Sequence, residues 1–98
     1  MDLLEFVKEI GNGLVIIDFW APWCAPCKMV APELDRIAEK NPTVKIMKIN
    51  VDESSGLVSR FEIKSIPTLI IVNKDQEIFR FIGFTSEKEL QKIINKNI

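Results

Sequence analysis

The chain predicts an α/β fold in which a mixed four-stranded sheet is flanked by four helices, in the order αβαβαββα. Residues 14–20, Leu-Val-Ile-Ile-Asp-Phe-Trp, are almost continuously apolar, as a strand buried on both faces of a sheet should be. From Cys24 onward the apolar period becomes helical. Near the end, residues 68–72 and 77–82 read as strands joined by the turn 73–76, which is short enough to make them an antiparallel hairpin.

Each element has a local cause. Asp2 is a candidate cap for a first short helix, with Glu5 three residues on, an apolar stripe of Leu3, Phe6, Val7 and Ile10, and Gly11 and Gly13 to stop it. After the strand 14–20, a helix carries Val30, Leu34, Ile37 and Ala38 at helical spacing until Asn41-Pro42 ends it. Pro32 lies inside that helix and predicts a bend, because its ring removes one amide hydrogen bond. Residues 44–51 read as a second strand and 54–61 as a short helix. A right-handed crossover through the proline-containing helix makes the first two strands parallel neighbours. The last helix starts from Ser86 with Glu89 three residues later, a capping box, and turns Leu90, Ile93 and Ile94 inward.

With 98 residues, 47% of them hydrophobic, the chain is expected to form a single domain with its own core, and it is too short for a second. A net charge of −1, with both signs interspersed, gives no extended basic field, so nucleic acid and anionic membranes are not expected partners. No apolar stretch approaches the length of a bilayer span. The acidic start, Met1-Asp2-Leu3-Leu4-Glu5, is unlike a secretory signal, and the expected compartment is the cytoplasm.

Both cysteines of the chain lie in Trp23-Cys24-Ala25-Pro26-Cys27-Lys28, where the buried strand hands over to a helix. In a reducing compartment such a close pair points to redox or metal chemistry rather than to a staple. A zinc or iron–sulfur centre takes about four Cys and His ligands, and this chain has two cysteines and no histidine. A purely structural disulfide would close too small a loop to stabilise much. Thiol–disulfide exchange is the reading that remains, and no metal or cofactor is expected beyond the pair itself.

A free thiol has a pKa of about 8.5, so only about 3% is thiolate at pH 7, and the thiolate is the reactive species. Cys24, at or just before the helix start, would meet unpaired amides and the positive end of the helix dipole, with Lys28 one turn on. Pro26 suits the first turn, where its missing amide hydrogen costs nothing. These positions make Cys24 the attacking nucleophile and Cys27 the more buried, resolving thiol.

Asp18 is a carboxylate in an otherwise apolar strand. Burial should raise its pKa, and Lys48, which alternates with Val44 and Ile46 and so shares their face of the neighbouring strand, would temper the rise. It could accept the proton of Cys27, directly or through a water; alternatively it reaches solvent near a strand end. Ile66-Pro67-Thr68 opens the third strand, where proline is tolerated. Trp20 and Trp23 flank the cysteines as packing groups, or as a shield and contact for a protein substrate.

Taken together, the run from Asp18 to Lys28 (Asp-Phe-Trp-Ala-Pro-Trp-Cys-Ala-Pro-Cys-Lys), Pro32 downstream and Ile66-Pro67-Thr68 closely resemble the thioredoxin family, over a stretch from about Leu14 to the final helix. The resemblance implies a thioredoxin-like fold and a protein-disulfide reductase. It implies a cis Pro67 facing the cysteine pair, with Ile66 offering its backbone to an extended substrate, and it supports Asp18 and Lys48 as a buried pair. Trp23, Ala25, Pro26, Ile66, Pro67 and Gly83 would form the substrate surface, Gly83 letting a partner approach closely. Disulfide-containing proteins would be the substrates, a thioredoxin reductase the electron donor, and a monomer the working form.

The sequence departs from the family pattern in three ways. Ala25 replaces the usual glycine and should stiffen the turn; about 30 mV in potential is a tenfold change in equilibrium, so a small effect would count. The family's N-terminal edge strand is not expected here, which leaves the strand with Lys45 and Lys48 at an edge, where lysine discourages edge-to-edge pairing. The 73–76 turn lacks the common glycine, so Asn73 or Asp75 is expected to take up its unusual backbone. Two rivals remain: a glutaredoxin-like reductase using glutathione, which commonly carries tyrosine beside the motif, and a non-catalytic binding module using the groove around Trp23, Ile66 and Gly83.

Overall fold

A computed structural model describes residues 13–98. The helix expected to begin at Asp2 lies outside the described residues. Among those described, the strands are β1 (Leu14–Trp20), β2 (Lys45–Asn50), β3 (Thr68–Asn73) and β4 (Gln76–Ile82), and the helices are α1 (Ala25–Lys40), α2 (Ser55–Arg60) and α3 (Glu87–Asn95). The sheet order is β2-β1-β3-β4. β1 pairs in parallel with β2 and antiparallel with β3, and β3 and β4 form the expected antiparallel hairpin.

Strand alternation divides the core in two. Val15, Ile17 and Phe19 of β1 face Met47, Ile49, Ile70, Val72 and Leu57 of α2. Leu14 and Ile16 point the other way, into a layer with Val30, Leu34 and Ile37 of α1, Leu69 and Ile71 of β3, and Leu90 and Ile94 of α3. β1 is therefore covered on both sides, which explains its uninterrupted apolar run. Asp18 and Trp20 continue the even-numbered series and so share the α1 side.

Local chemistry sets the element ends. Asn50 stops β2 one residue earlier than expected, because its side-chain oxygen accepts the amide hydrogen of Asp52 and starts a 3-10 turn over Val51–Glu53. Ser86 Oγ accepts from the Glu89 amide at the start of α3, and Glu33 of α1 accepts from the Glu87 amide. Glu87 in turn pairs with Arg36 at 3.1 Å and with Lys40. Asn41 caps the end of α1 and exchanges two hydrogen bonds with Gln91 of α3. Ala38, expected on the inner stripe of α1, is exposed. The stripe narrows there to Ile37, since Asn41 and Gln91 make the next contact.

In the β3–β4 turn the left-handed residues are Lys74 (φ 51°) and Asp75 (φ 68°). Asp75 is one of the residues expected there; Lys74 takes the place assigned to Asn73. In a type I′ two-residue hairpin turn both central positions need positive φ, and the resulting twist matches that of the strands; Asn73 is still paired in β3 opposite Gln76.

Leu34 is fully buried between the sheet and α3. Leu34→Ala should destabilise the protein by about 2–5 kcal/mol, measurable as a lower urea midpoint at unchanged slope.

Candidate active site

The junction between β1 and α1 holds the site. β1 ends at Trp20, Ala21 accepts a hydrogen bond from the Cys24 amide at 3.2 Å, and α1 begins at Ala25. Cys24 is the N-cap, with extended backbone (φ −96°, ψ 107°), and its Sγ accepts a hydrogen bond from the Cys27 amide at 3.2 Å. A sulfur thus fills the position that a serine or aspartate oxygen takes in most N-caps. Cys24 and Cys27 are joined as a disulfide, with their Cα atoms 5.3 Å apart.

As whole residues the two cysteines are equally buried: Cys24 is 4% and Cys27 5% exposed. Whole-residue burial thus does not set Cys27 apart from Cys24. What distinguishes them is direction. Cys24 meets the helix amides, while Cys27, one turn in, lines a cavity of about 200 Å³ beneath the helix with Asp18, Trp20, Lys28, Ala31 and Lys48.

Asp18 lies inside. It is 3% exposed, in register with Lys48 on β2 and Leu69 on β3. Burial pushes its carboxyl up to about 6, with the Lys48 charge acting in the opposite direction. Lys48 itself is exposed at the sheet edge, so only one partner of the expected buried pair is buried. A long amphipathic side chain can reach inward from such a position while its backbone stays at the surface.

Across the disulfide, Ile66 packs against the layer of Ala21, Cys24 and Cys27. The Ile66–Pro67 peptide bond is cis. The Pro67 carbonyl accepts from the Gly83 amide at 2.9 Å, which fastens this segment to the end of β4. Gly83 has φ +93°, a left-handed conformation that other L-residues adopt only with strain. A Cβ there would meet nothing within 4 Å, so the glycine is needed first for its backbone. Ala25 and Pro26 are exposed in the first turn of α1.

Trp23 is 69% exposed, yet it is held. Its indole N–H donates to Asp52, at 3.0 Å to Oδ2 and 3.4 Å to Oδ1. Asp52 is placed by the Asn50 cap, so the chain Asn50–Asp52–Trp23 holds one wall of a groove of about 340 Å³ whose other side includes Val58, Ile63, Ser65 and Ile66. Asp52 was not among the residues expected at the site; the spacing Asn50-Val51-Asp52, an Asx-turn pattern, was the signal for it. Among the described residues no group of three or more Cys, Asp or Glu converges as a metal site, and no helix is long and apolar enough to cross a membrane.

A disulfide between two closely spaced cysteines at the start of the helix that follows a central strand, with a buried carboxyl beneath it and a cis-proline segment across it, defines a thiol–disulfide oxidoreductase. The thioredoxin family profile matches residues 2–96. The chain is 39% identical to thioredoxin of Bacillus subtilis, covering 96% of this chain and 91% of that protein. It is 43% identical to thioredoxin of Chlamydia pneumoniae, covering 95% and 91%. Mitochondrial thioredoxin 3 of Saccharomyces cerevisiae, in its oxidised form, superposes with a TM-score of 0.88 at 35% identity, covering 97% of this chain and 90% of that one. The protein belongs to the thioredoxin family. Neither the glutathione-dependent reading nor the non-catalytic one is favoured by these relatives.

The Asp18 carboxyl binds its proton more tightly in the folded protein, at about 6, than at its ordinary 3.8. Its contribution to stability is therefore fully present below the ordinary value and is lost as pH rises through 6. Once complete, the loss amounts to about 3 kcal/mol. Asp18→Asn, which cannot ionise, should raise stability toward that amount at about pH 8 and change it little at about pH 3; urea unfolding at the two pH values checks this.

Proposed function

We propose that the protein reduces disulfide bonds in other proteins by dithiol exchange, with Cys24 as nucleophile and Cys27 as resolving thiol. The observation that carries this reading is the Cys27 amide held 3.2 Å from Cys24 Sγ at the start of α1. The same amides and helix dipole would stabilise Cys24 as a thiolate in the reduced form.

Cys24 attacks one sulfur of the target disulfide and forms a mixed disulfide, releasing the other target sulfur as a thiolate. Cys27 then loses its proton and attacks Cys24, releasing the second target sulfur. Two electrons pass from the dithiol to the target, and the Cys24–Cys27 bond remains. Asp18 accepts the Cys27 proton across the cavity that both line, and the Lys48 charge keeps Asp18 ionised often enough to do so.

An extended protein segment would lie over Trp23, Ala25, Pro26, Ile66, Pro67 and Gly83. Exposed apolar side chains Trp23, Ile82 and Phe84 offer it contact area. The pair itself carries the electrons, so no cofactor is assigned. A thioredoxin reductase as donor, a cytoplasmic location and a monomeric form complete the proposal, on the strength of the family membership.

Cys27→Ser should accumulate a covalent adduct with a disulfide-containing protein, visible as a reducible band on a gel, because nothing resolves it. Cys24→Ser should trap essentially none; adducts forming with Cys24→Ser instead would reverse the two roles. In Asp18→Asn, insulin reduction should lose its dependence on pH near 6 and slow at neutral pH by about tenfold or more, since a positioned proton acceptor typically contributes about 10²–10⁴. An unchanged pH–rate profile would remove Asp18 from the proton path.

A further inference from the structure

The segment 61–67 lies between the groove and a second cavity. On one side Ile63, Lys64, Ser65 and Ile66 line the groove that faces Trp23. On the other, Glu62, Lys64, Ser65, Thr68, Arg80 and Ile82 line a cavity of about 280 Å³. Lys64 and Ser65 line both, so the wall there is one chain thick. Ile63 and Ile66 pack against the core, but apolar packing is non-directional and does not by itself decide where the carbonyls of the segment point. The chain also turns at Glu62 with φ 52°, in the left-handed region that favours glycine, so its own backbone preference does not hold the turn.

Hydrogen bonds from β4 hold it at both ends. At the far end the Gly83 amide donates to the Pro67 carbonyl at 2.9 Å. At the near end Arg80 Nη1 donates to the Phe61 carbonyl at 3.0 Å, across 19 positions of sequence. Arg80 is opposite Ile70 of β3, and directly paired residues share a face, so its side chain leaves the sheet on the side of α2, where Phe61 ends that helix. Glu77 fixes the guanidinium: Nε and Nη2 donate to its two carboxylate oxygens, each at 2.9 Å. That bond holds the Glu77 carboxyl below its ordinary value. An ion pair as exposed as this one, at 27% and 38%, contributes little to stability. Its effect is geometric: a planar fork bonded at two points keeps its direction, and the third nitrogen is aimed at Phe61.

We infer that Arg80, locked by Glu77, is a positioning residue for disulfide reduction: it fixes the Phe61 carbonyl and thereby sets the segment that carries Ile66, the wall of the groove against which a target chain lies. The inference rests on the proposed reduction of protein disulfides and names a determinant of how the target is held. Trp23, on the opposite wall, is held in the same manner by Asp52, so each wall is fixed by one charged side chain. Without Arg80 the segment has the cavity behind it to relax into. A displacement of about 1 Å in a positioning element can cost about 10²-fold. The loss falls on target chains that span the groove and spares the exchange of electrons at the sulfurs, because the hydrogen-bond partners of Arg80 are Phe61 and Glu77.

The test compares the wild-type protein, Arg80→Gln, Glu77→Gln and the double variant on two disulfides: insulin, and dithiobis-nitrobenzoate, which is too small to span the groove. Arg80→Gln should raise KM for insulin about tenfold or more with kcat changed far less, and should leave the rate with the small disulfide within about twofold of wild type. The Ile63 amide, which donates to the Val58 carbonyl at 2.9 Å, should exchange with deuterium about tenfold faster in that variant, while the Asp52 amide of the opposite wall, bonded to Asn50, should not change. Glu77→Gln should act in the same direction, and the double variant should lose no more than Arg80→Gln alone, because both substitutions break one unit. An insulin KM unmoved in Arg80→Gln, a parallel loss with both disulfides, unchanged exchange at Ile63, or two effects that simply add overturns the inference. A wild-type protein that reduces neither disulfide overturns instead the reading beneath it. Should Arg80→Gln fail to fold, the same two readouts on Glu77→Gln decide.

Discussion

The amide of Cys27 donates to the sulfur of Cys24 because Cys24 is the last extended residue before α1 begins. That single capping contact couples the architecture to the chemistry. An N-cap needs an acceptor for amides that the helix cannot satisfy, and a thiolate needs donors and positive potential; here one atom answers both requirements. The rest of the fold holds this junction still. β1 lies between β2 and β3 with both faces covered, and α1 is tied to α3 through Asn41, Gln91 and the Glu33–Arg36–Glu87 cluster.

The same strand that anchors the junction carries the groups beneath it. Asp18 and Trp20 continue the series of Leu14 and Ile16, so the pleat that builds the α1-side core also delivers a carboxyl and an indole N–H under Cys27. A polar site inside a core is costly, and the raised pKa of Asp18 is the measure of it. This is where stability and activity oppose each other. A neutral side chain at position 18 would suit the fold better above pH 6, and it would remove the carboxyl that shares the cavity with Cys27.

Above the sulfurs, the surface is assembled from three separate segments: Trp23 held by Asp52, Ile66 beside the cis Pro67, and Gly83 bonded to the Pro67 carbonyl. The Trp23–Asp52 and Gly83–Pro67 contacts join residues far apart in sequence. The Asn50 side chain, which ends β2 and starts the 3-10 turn, is also what presents Asp52 to the indole. A residue that looks like a strand terminator therefore has a second effect, on the wall of the groove.

Much of this was legible in the chain alone, because the signals are periodic or covalent. The continuous apolar run of β1, the helical spacing of Val30, Leu34 and Ile37, the Ser86 cap and the short β3–β4 turn each follow from the local backbone. The close pair Cys24 and Cys27, in a chain with no histidine and no further cysteine, pointed to thiol–disulfide chemistry rather than to a metal site. The tertiary structure alone decided what depends on distance through space: that Cys24 and Cys27 are equally buried, that Lys48 stays at the surface, that Asp52 holds Trp23, and that Trp20 shares a cavity with Asp18. Periodicity reports which face a side chain leaves from; which atoms it meets there is set by the packing of elements far apart in the chain, and a hydrogen bond is decided within a few tenths of an ångström.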